Sequence, residues 1–111
     1  AAFHSKFMYQ AQEKLSEDIN LLNFLENKIN IISNYDANIY NDNASIKKNL
    51  QLQMANKVNW TESIKKLEEI GENDILEFGP GKVLSGLINR ISKSFNIKSI
   101  TTTEDLSKWM K

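Results

Sequence analysis

The run Ile75-Leu76-Glu77-Phe78-Gly79-Pro80-Gly81-Lys82-Val83-Leu84-Ser85-Gly86-Leu87-Ile88-Asn89-Arg90-Ile91 decides the fold class. Ile75, Leu76 and Phe78 form a short apolar stretch, which reads as a buried strand. Gly79-Pro80-Gly81 then breaks the chain sharply, because glycine reaches backbone conformations closed to other residues and proline lacks the N–H that a ladder needs. Beyond the break Leu84, Leu87, Ile88, Ile91 and Phe95 recur at steps of three and four, the spacing of one helix face. Strand, glycine turn and helix in succession are the building unit of α/β folds.

The same alternation continues in both directions. Downstream, Ile97 to Ile100 reads as a last strand, and Thr103 with Glu104 and Asp105 opens a last short helix containing Leu106 and Trp109. Upstream, Trp60, Ile64 and Leu67 mark a helix that Gly71 is placed to end. Before it, Ile46, Leu50 and Met54 define a helix over Ala44 to Met54, with Gln53 beside its apolar face. Ile29, Ile31 and Ile32 are β-branched and precede the turn-rich Ser33-Asn34-Tyr35-Asp36, so a short strand is expected there, extended by Ile39 and Tyr40 through a hairpin. The asparagine-rich stretch from Asn34 to Asn43 reads as a turn region. At the start, Met8, Ala11, Leu15, Ile19 and Leu22 form one helical stripe that Ser5 can cap. The class is α/β, with helices alternating with short, mainly parallel strands and helical crossovers in the second half.

With 111 residues and 12.8 kDa the chain has the size of one small domain, and 41% hydrophobic residues are enough for one core. Fourteen basic residues balance fourteen acidic ones, which gives no electrostatic basis for binding nucleic acid or an anionic membrane surface. The absence of cysteine excludes disulfides and thiolate metal sites, and one histidine supplies too few nitrogen ligands for zinc or iron. No apolar run approaches the roughly 20 residues needed to span a bilayer, so the expectation is a soluble, intracellular protein. The opening Ala1-Ala2-Phe3-His4 has neither an initiator methionine nor a polar lead-in, and reads as the start of a cut chain.

Two features carry candidate chemistry. A glycine turn at a helix N-terminus exposes backbone N–H groups that can bind an anion. Gly79-Pro80-Gly81 has neither the GxGxxG nor the P-loop spacing, however, and its plainer reading is a tight turn between strand and helix. His4 is the second feature. A lone histidine is more often a surface or satisfied core residue than a general base, but His4 lies at a loop-to-helix junction, a position that catalytic residues favour. No Ser or Asp spacing in the chain completes a triad with it. Lys65-Lys66-Leu67-Glu68-Glu69 reads as a solvated helix face.

Taken in order, Ala2-Phe3-His4-Ser5, Asn59-Trp60 with Ser63, Glu77 to Leu87, and Arg90-Ile91 resemble the malonyl-CoA:acyl carrier protein transacylases in both residues and spacing. The resemblance runs to about Trp109, and Glu77 to Leu87 is its most specific part. It implies that residues 1–111 are the C-terminal segment of an acyltransferase catalytic domain, belonging to an α/β-hydrolase-like large subdomain. A ferredoxin-like subdomain, the nucleophilic serine of a GHSxG elbow, the arginine that pairs with the malonyl carboxylate and an oxyanion-hole glutamine would all lie upstream.

The resemblance further implies that His4 is the catalytic base for malonyl transfer from coenzyme A to acyl carrier protein in fatty acid synthesis. Gln53 would orient the imidazole through its backbone carbonyl, and Phe3 would restrict the pocket at the substrate α-carbon. Gly79, Pro80 and Gly81 would form a structural turn near the site, with Arg90 and Lys93 as contacts for the carrier protein. No metal or dissociable cofactor is implied; malonyl-CoA is the substrate. The expected compartment is bacterial cytoplasm or a plastid-type organelle. Three departures from the family pattern stand out: Ala1 in place of Gly or His, Asn56-Lys57 in place of Asn-Pro, which would loosen the loop carrying Gln53, and Asn89-Arg90 in place of a Lys-Arg pair. Two rival readings share these motifs in whole or part: an acyltransferase domain of a polyketide or multidomain fatty acid synthase, and a noncatalytic module binding phosphate or a carrier protein.

Overall fold

A computed structural model describes residues 2–111. Ala1, and with it the departure noted at that position, lies outside the described residues. The chain forms two compact units, Ala1–Ser63 and Ile64–Lys111.

In the first unit a 3₁₀ turn, Lys6–Met8, leads into α1, Tyr9–Leu21. Ser5 stands at the head of this turn but does not cap it: its hydroxyl donates backward to the Ala2 carbonyl at 2.6 Å. The apolar stripe of α1 is present from Met8 to Ile19, which is buried, while Leu22 lies beyond the helix and is exposed. Strands β1 (Ile31–Ile32) and β2 (Ile39–Tyr40) pair antiparallel, Ile31 opposite Tyr40 and Ile32 opposite Ile39. Ile29 is exposed and outside the strand.

The hairpin turn is closed by Ser33 N–H to Asn38 O at 3.0 Å and Ala37 N–H to Ser33 O at 2.9 Å, with Ala37 in the left-handed region at φ 59°. Helix α2, Asn43–Leu52, begins one residue earlier and ends two residues sooner than its periodicity predicts. Asp42 caps it by accepting the Ser45 N–H at 2.8 Å. α2 packs on α1. Lys47 ties the two further by donating to the Leu22 carbonyl at 2.6 Å while its ammonium lies 4.8 Å from the centre of the Phe24 ring.

Helix α3, Trp60–Glu69, starts in this unit. Its leading residue, Asn59, is fixed to the hairpin turn: the Asn59 N–H donates to Asn34 O at 2.9 Å and its side-chain amide to Tyr35 O. The Asn59 carbonyl in turn accepts both the N–H and the hydroxyl of Ser63, at 3.0 and 2.9 Å. These bonds give a physical reason for the Asn59-Trp60…Ser63 pattern.

In the second unit α3 ends where Gly71 adopts φ +81° and donates its N–H to Glu68 O at 3.1 Å. Strands β3 (Asp74–Phe78) and β4 (Asn96–Ile100) pair in parallel with Asp74 opposite Asn96 and Phe78 opposite Ile100. They are joined through α4, Val83–Ile91. Phe95, expected on this helix, is buried but lies past its end. The helix stops at Ser92, whose hydroxyl, with that of Ser94, turns aside to the Glu68 carboxylate. Helix α5, Thr103–Trp109, is closed by a capping box in which Thr102 and Asp105 exchange bonds of 3.1 and 3.0 Å.

The burial of β3 differs from the expectation of a buried apolar strand. Phe78 is 62% exposed, whereas Glu77 is only 9% exposed. Alternate residues of a strand face opposite sides: Glu77 is turned toward the start of α4, and Phe78 toward Trp109, which meets it edge-on at 6.5 Å. Among the described residues β3 pairs only with β4. No helix among them is long and apolar enough to cross a membrane.

Candidate active site around His4

An α-helix leaves its last carbonyls without intrahelical partners. At the end of α2 the carbonyl of the capping residue Gln53, and that of Met54 just beyond it, are taken by a single residue. His4 donates its backbone N–H to Met54 O at 3.0 Å, and its Nδ1 lies 2.7 Å from Gln53 O. A carbonyl oxygen can only accept, so the proton of this bond resides on Nδ1. In the neutral ring that leaves Nε2 with the free lone pair, the form in which an imidazole acts as a base.

To reach both acceptors His4 takes φ 60°, the left-handed region that non-glycine residues occupy rarely and at a cost. The two bonds over-determine that conformation. His4 is an exposed residue. Gln53 is itself held at the helix end by its N–H to Asn49 O at 3.0 Å. The following loop, expected to be looser where Asn56-Lys57 stands, is tied by the Asn56 amide donating to Leu52 O at 2.7 Å.

Of the residues singled out in the sequence, the structure thus brings His4 and Gln53 together. Phe3 is adjacent to His4 and 61% exposed. Gly79, Pro80 and Gly81 belong to the second unit, as do Arg90 and Lys93, both exposed at and just after the end of α4. Gly79 and Gly81 sit at φ +136° and +86°, and a Cβ on either would meet no atom within 4 Å. Conformation therefore calls for glycine here, and the close strand-to-helix approach expected of the turn is not what requires it.

The anion-binding potential of this turn is already used. Glu77 accepts the N–H groups of Leu84 and Ser85 at 3.0 and 2.9 Å, together with the Ser85 hydroxyl, so its carboxylate occupies the N-terminus of α4. The Ser85 hydroxyl and the backbone N–H groups hold the Glu77 pKa below the usual glutamate value. From sequence alone no role is assigned to Glu77, Asn34 or Asn59, although Glu77 and Asn59 stand in the motifs that carry the resemblance; Asn34 reads only as part of a turn region. Among the described residues no group of three or more His, Cys, Asp or Glu is arranged to hold a metal ion.

No protein-family model matches the chain. The malonyl CoA-acyl carrier protein transacylase of Synechocystis sp. is 36% identical over 106 residues, covering 96% of this chain and 36% of that protein. That of Staphylococcus aureus is 36% identical over 107 residues, covering 96% and 35%. The chain is a homologue of the malonyl-CoA:acyl carrier protein transacylases. It spans about a third of the length of these curated relatives.

Solved transacylase structures share the fold. The Synechocystis enzyme matches with a TM-score of 0.90 at 35% identity over 97% of this chain and 37% of that one. The Xanthomonas oryzae transacylase matches at 0.87, with 34% identity over 96% and 34%. A malonyl-transacylase in complex with a type II polyketide synthase acyl-carrier protein matches at 0.85, with 29% identity over 95% and 34%.

Proposed function

We propose that residues 1–111 are the C-terminal segment of a malonyl-CoA:acyl carrier protein transacylase of fatty acid synthesis, with His4 as its acid–base residue. The observation that carries this reading is the pairing of His4 Nδ1 with the Gln53 carbonyl at 2.7 Å in a chain homologous to those enzymes. The nucleophilic serine lies outside the segment in this proposal.

The chemistry follows from the tautomer. With Nδ1–H committed to Gln53, Nε2 takes the proton of the serine hydroxyl as its oxygen attacks the malonyl thioester carbonyl. Collapse of the tetrahedral adduct breaks the C–S bond, and the proton passes from Nε2 to the departing coenzyme A sulfur. The phosphopantetheine thiol of acyl carrier protein then gives its proton to Nε2, attacks the seryl ester and leaves with the malonyl group, the proton returning to the serine oxygen. Phe3, next to His4, limits space at the α-carbon. Arg90 and Lys93 offer positive charge to the carrier protein. The reaction needs no metal or dissociable cofactor, and bacterial cytoplasm or a plastid-type organelle would house it.

A second reading is favoured by the match to the transacylase bound to a polyketide carrier protein: the same chemistry serving polyketide assembly. The noncatalytic phosphate-binding reading loses its support where Glu77 fills the N-terminus of α4. The deciding experiment is to read the coding sequence upstream of Ala1 for a GHSxG serine and to assay the full-length protein with malonyl-CoA and carrier proteins of both kinds. Transfer that is abolished by replacing that serine supports the proposal; a full-length protein without the serine or the transfer overturns it.

A further inference from the structure

The acceptor that fixes the His4 imidazole is a backbone carbonyl, which any residue at position 53 would supply. The glutamine side chain therefore has to be explained separately. Its Oε1 accepts from the Asn34 side-chain amide at 3.2 Å, a bond from the end of α2 to the β1–β2 turn. We infer that the Asn34–Gln53 side-chain pair is a positioning element for His4, holding the Gln53 peptide so that its carbonyl stays aimed at Nδ1. This inference rests on the proposed role of His4.

Asn34 is suited to the task because its own backbone is immobilised. Its carbonyl accepts the Asn59 N–H at 2.9 Å, and the next residue, Tyr35, is held by its N–H to the Ser33 hydroxyl at 3.1 Å and by the Asn59 amide on its carbonyl. Gln53 needs such an anchor. It sits at the C-terminal boundary of α2, where helices fray. Its side chain also borders a cleft of about 300 Å³ lined by Ile31, Ile32, Ile46 and Leu50 as well as Asn34, so packing alone leaves it room to move. A chain of contacts results: Asn59 fixes the turn, the turn presents Asn34, Asn34 fixes the Gln53 side chain, and the Gln53 carbonyl fixes the base.

The test uses Gln53→Met and Asn34→Ala, singly and together, in the full-length protein. Neither substitution removes the carbonyl. The expected result is a fall in kcat of roughly 2- to 10-fold, the scale of one neutral hydrogen bond, with KM for malonyl-CoA unchanged. The double variant should lose no more than either single one, because both remove the same bond. Nitrogen NMR of the imidazole reads positioning without reference to activity: wild type should show the proton on Nδ1, and the variants a mixture of tautomers. Unchanged kcat and an unchanged tautomer in folded Gln53→Met would overturn the inference, as would fully additive losses in the double variant. Should Gln53→Met fail to fold, Asn34→Ala decides by the same two readouts. His4→Asn is measured alongside. Full transfer by that variant would sink the role of His4 itself, while the NMR comparison still reports on the Asn34–Gln53 pair.

Discussion

The carboxylate of Glu77, on β3, accepts the backbone N–H of Ser85, on α4, at 2.9 Å and the hydroxyl of the same residue. A strand residue thus caps the helix that follows it, in place of Lys82, which makes no side-chain cap. The negative charge at the positive end of the helix is favourable as well as hydrogen-bonded. Glu77→Ala should therefore lower the denaturation midpoint of the full-length protein more than Glu77→Gln, whose amide oxygen still accepts. The linkage has a definite direction: the folded pKa is held below the ordinary 4.5 by the Ser85 hydroxyl and the backbone N–H groups. The stabilisation is complete above that ordinary value and is lost as pH falls through the folded one. Midpoints measured between about pH 6 and pH 3 should fall less steeply in Glu77→Gln than in wild type. Equal slopes would mean that Glu77 is not the group titrating.

Gly79 and Gly81 should differ in their response to alanine. Neither position opposes a Cβ sterically, so the cost is conformational alone. At φ +86° Gly81 lies close enough to the left-handed well for alanine to be accommodated at about 1–2 kcal/mol. Gly79, at φ +136°, is far from that well, and alanine there should cost about 2–3 kcal/mol. Denaturant melts of both variants would check the order; a larger loss at Gly81 would show that packing, and not φ, governs the turn.

Element order was legible in the sequence because periodicity and breakers speak locally. The glycine turn, the leucine and isoleucine spacing of α4, Gly71 and the Ile-rich hairpin each announce their own element. What the sequence could not disclose is long-range polar pairing. The stretch beginning at Asn34 reads only as a turn region and Asn59 only as part of a motif, yet Asn34 and Asn59 each bond a partner 19 or more residues away. Ser92 and Ser94 ended α4 early for the same reason, since Glu68, which receives them, lies 24 and 26 residues upstream. His4 was found through motif resemblance; its left-handed backbone and the helix end that receives it are properties of the fold.

His4→Asn separates chemistry from strain, because asparagine tolerates the left-handed region better than most residues. The variant should fold and should lose malonyl transfer by about 10²–10⁴-fold, the usual contribution of positioned acid–base catalysis. The loss should fall on kcat, read in single-turnover acylation with labelled malonyl-CoA. Transfer within about threefold of wild type would remove His4 as the base.

Phe3 is 61% exposed, so its replacement should leave stability nearly unchanged and act on selectivity. Phe3→Ser should relax discrimination against methylmalonyl-CoA by no more than roughly 1–3 kcal/mol, the worth of one methyl group in a pocket. Competition between the two thioesters measures it directly. If the ratio of their kcat/KM values does not move, Phe3 does not line the acyl site.

On the proposed function, residues 1–111 expressed alone should not transfer malonyl, because the nucleophile that His4 would activate lies outside them. Their physical behaviour should reveal the same incompleteness. Phe78 at 62% exposure and Val83 at 70%, with Leu84, Leu87 and Trp109 also exposed, leave a large apolar surface on the second unit. Among the described residues strand β3 in addition pairs on one side only. The polypeptide should accordingly associate or unfold at low denaturant, as read by sedimentation and by circular dichroism melts. Labelled malonyl-CoA should leave no covalent adduct. A stable malonyl ester on one of its own serines would overturn the assignment of the nucleophile to a region outside the segment. A monomer that unfolds cooperatively and binds phosphate or a carrier protein without turnover would instead favour a noncatalytic module.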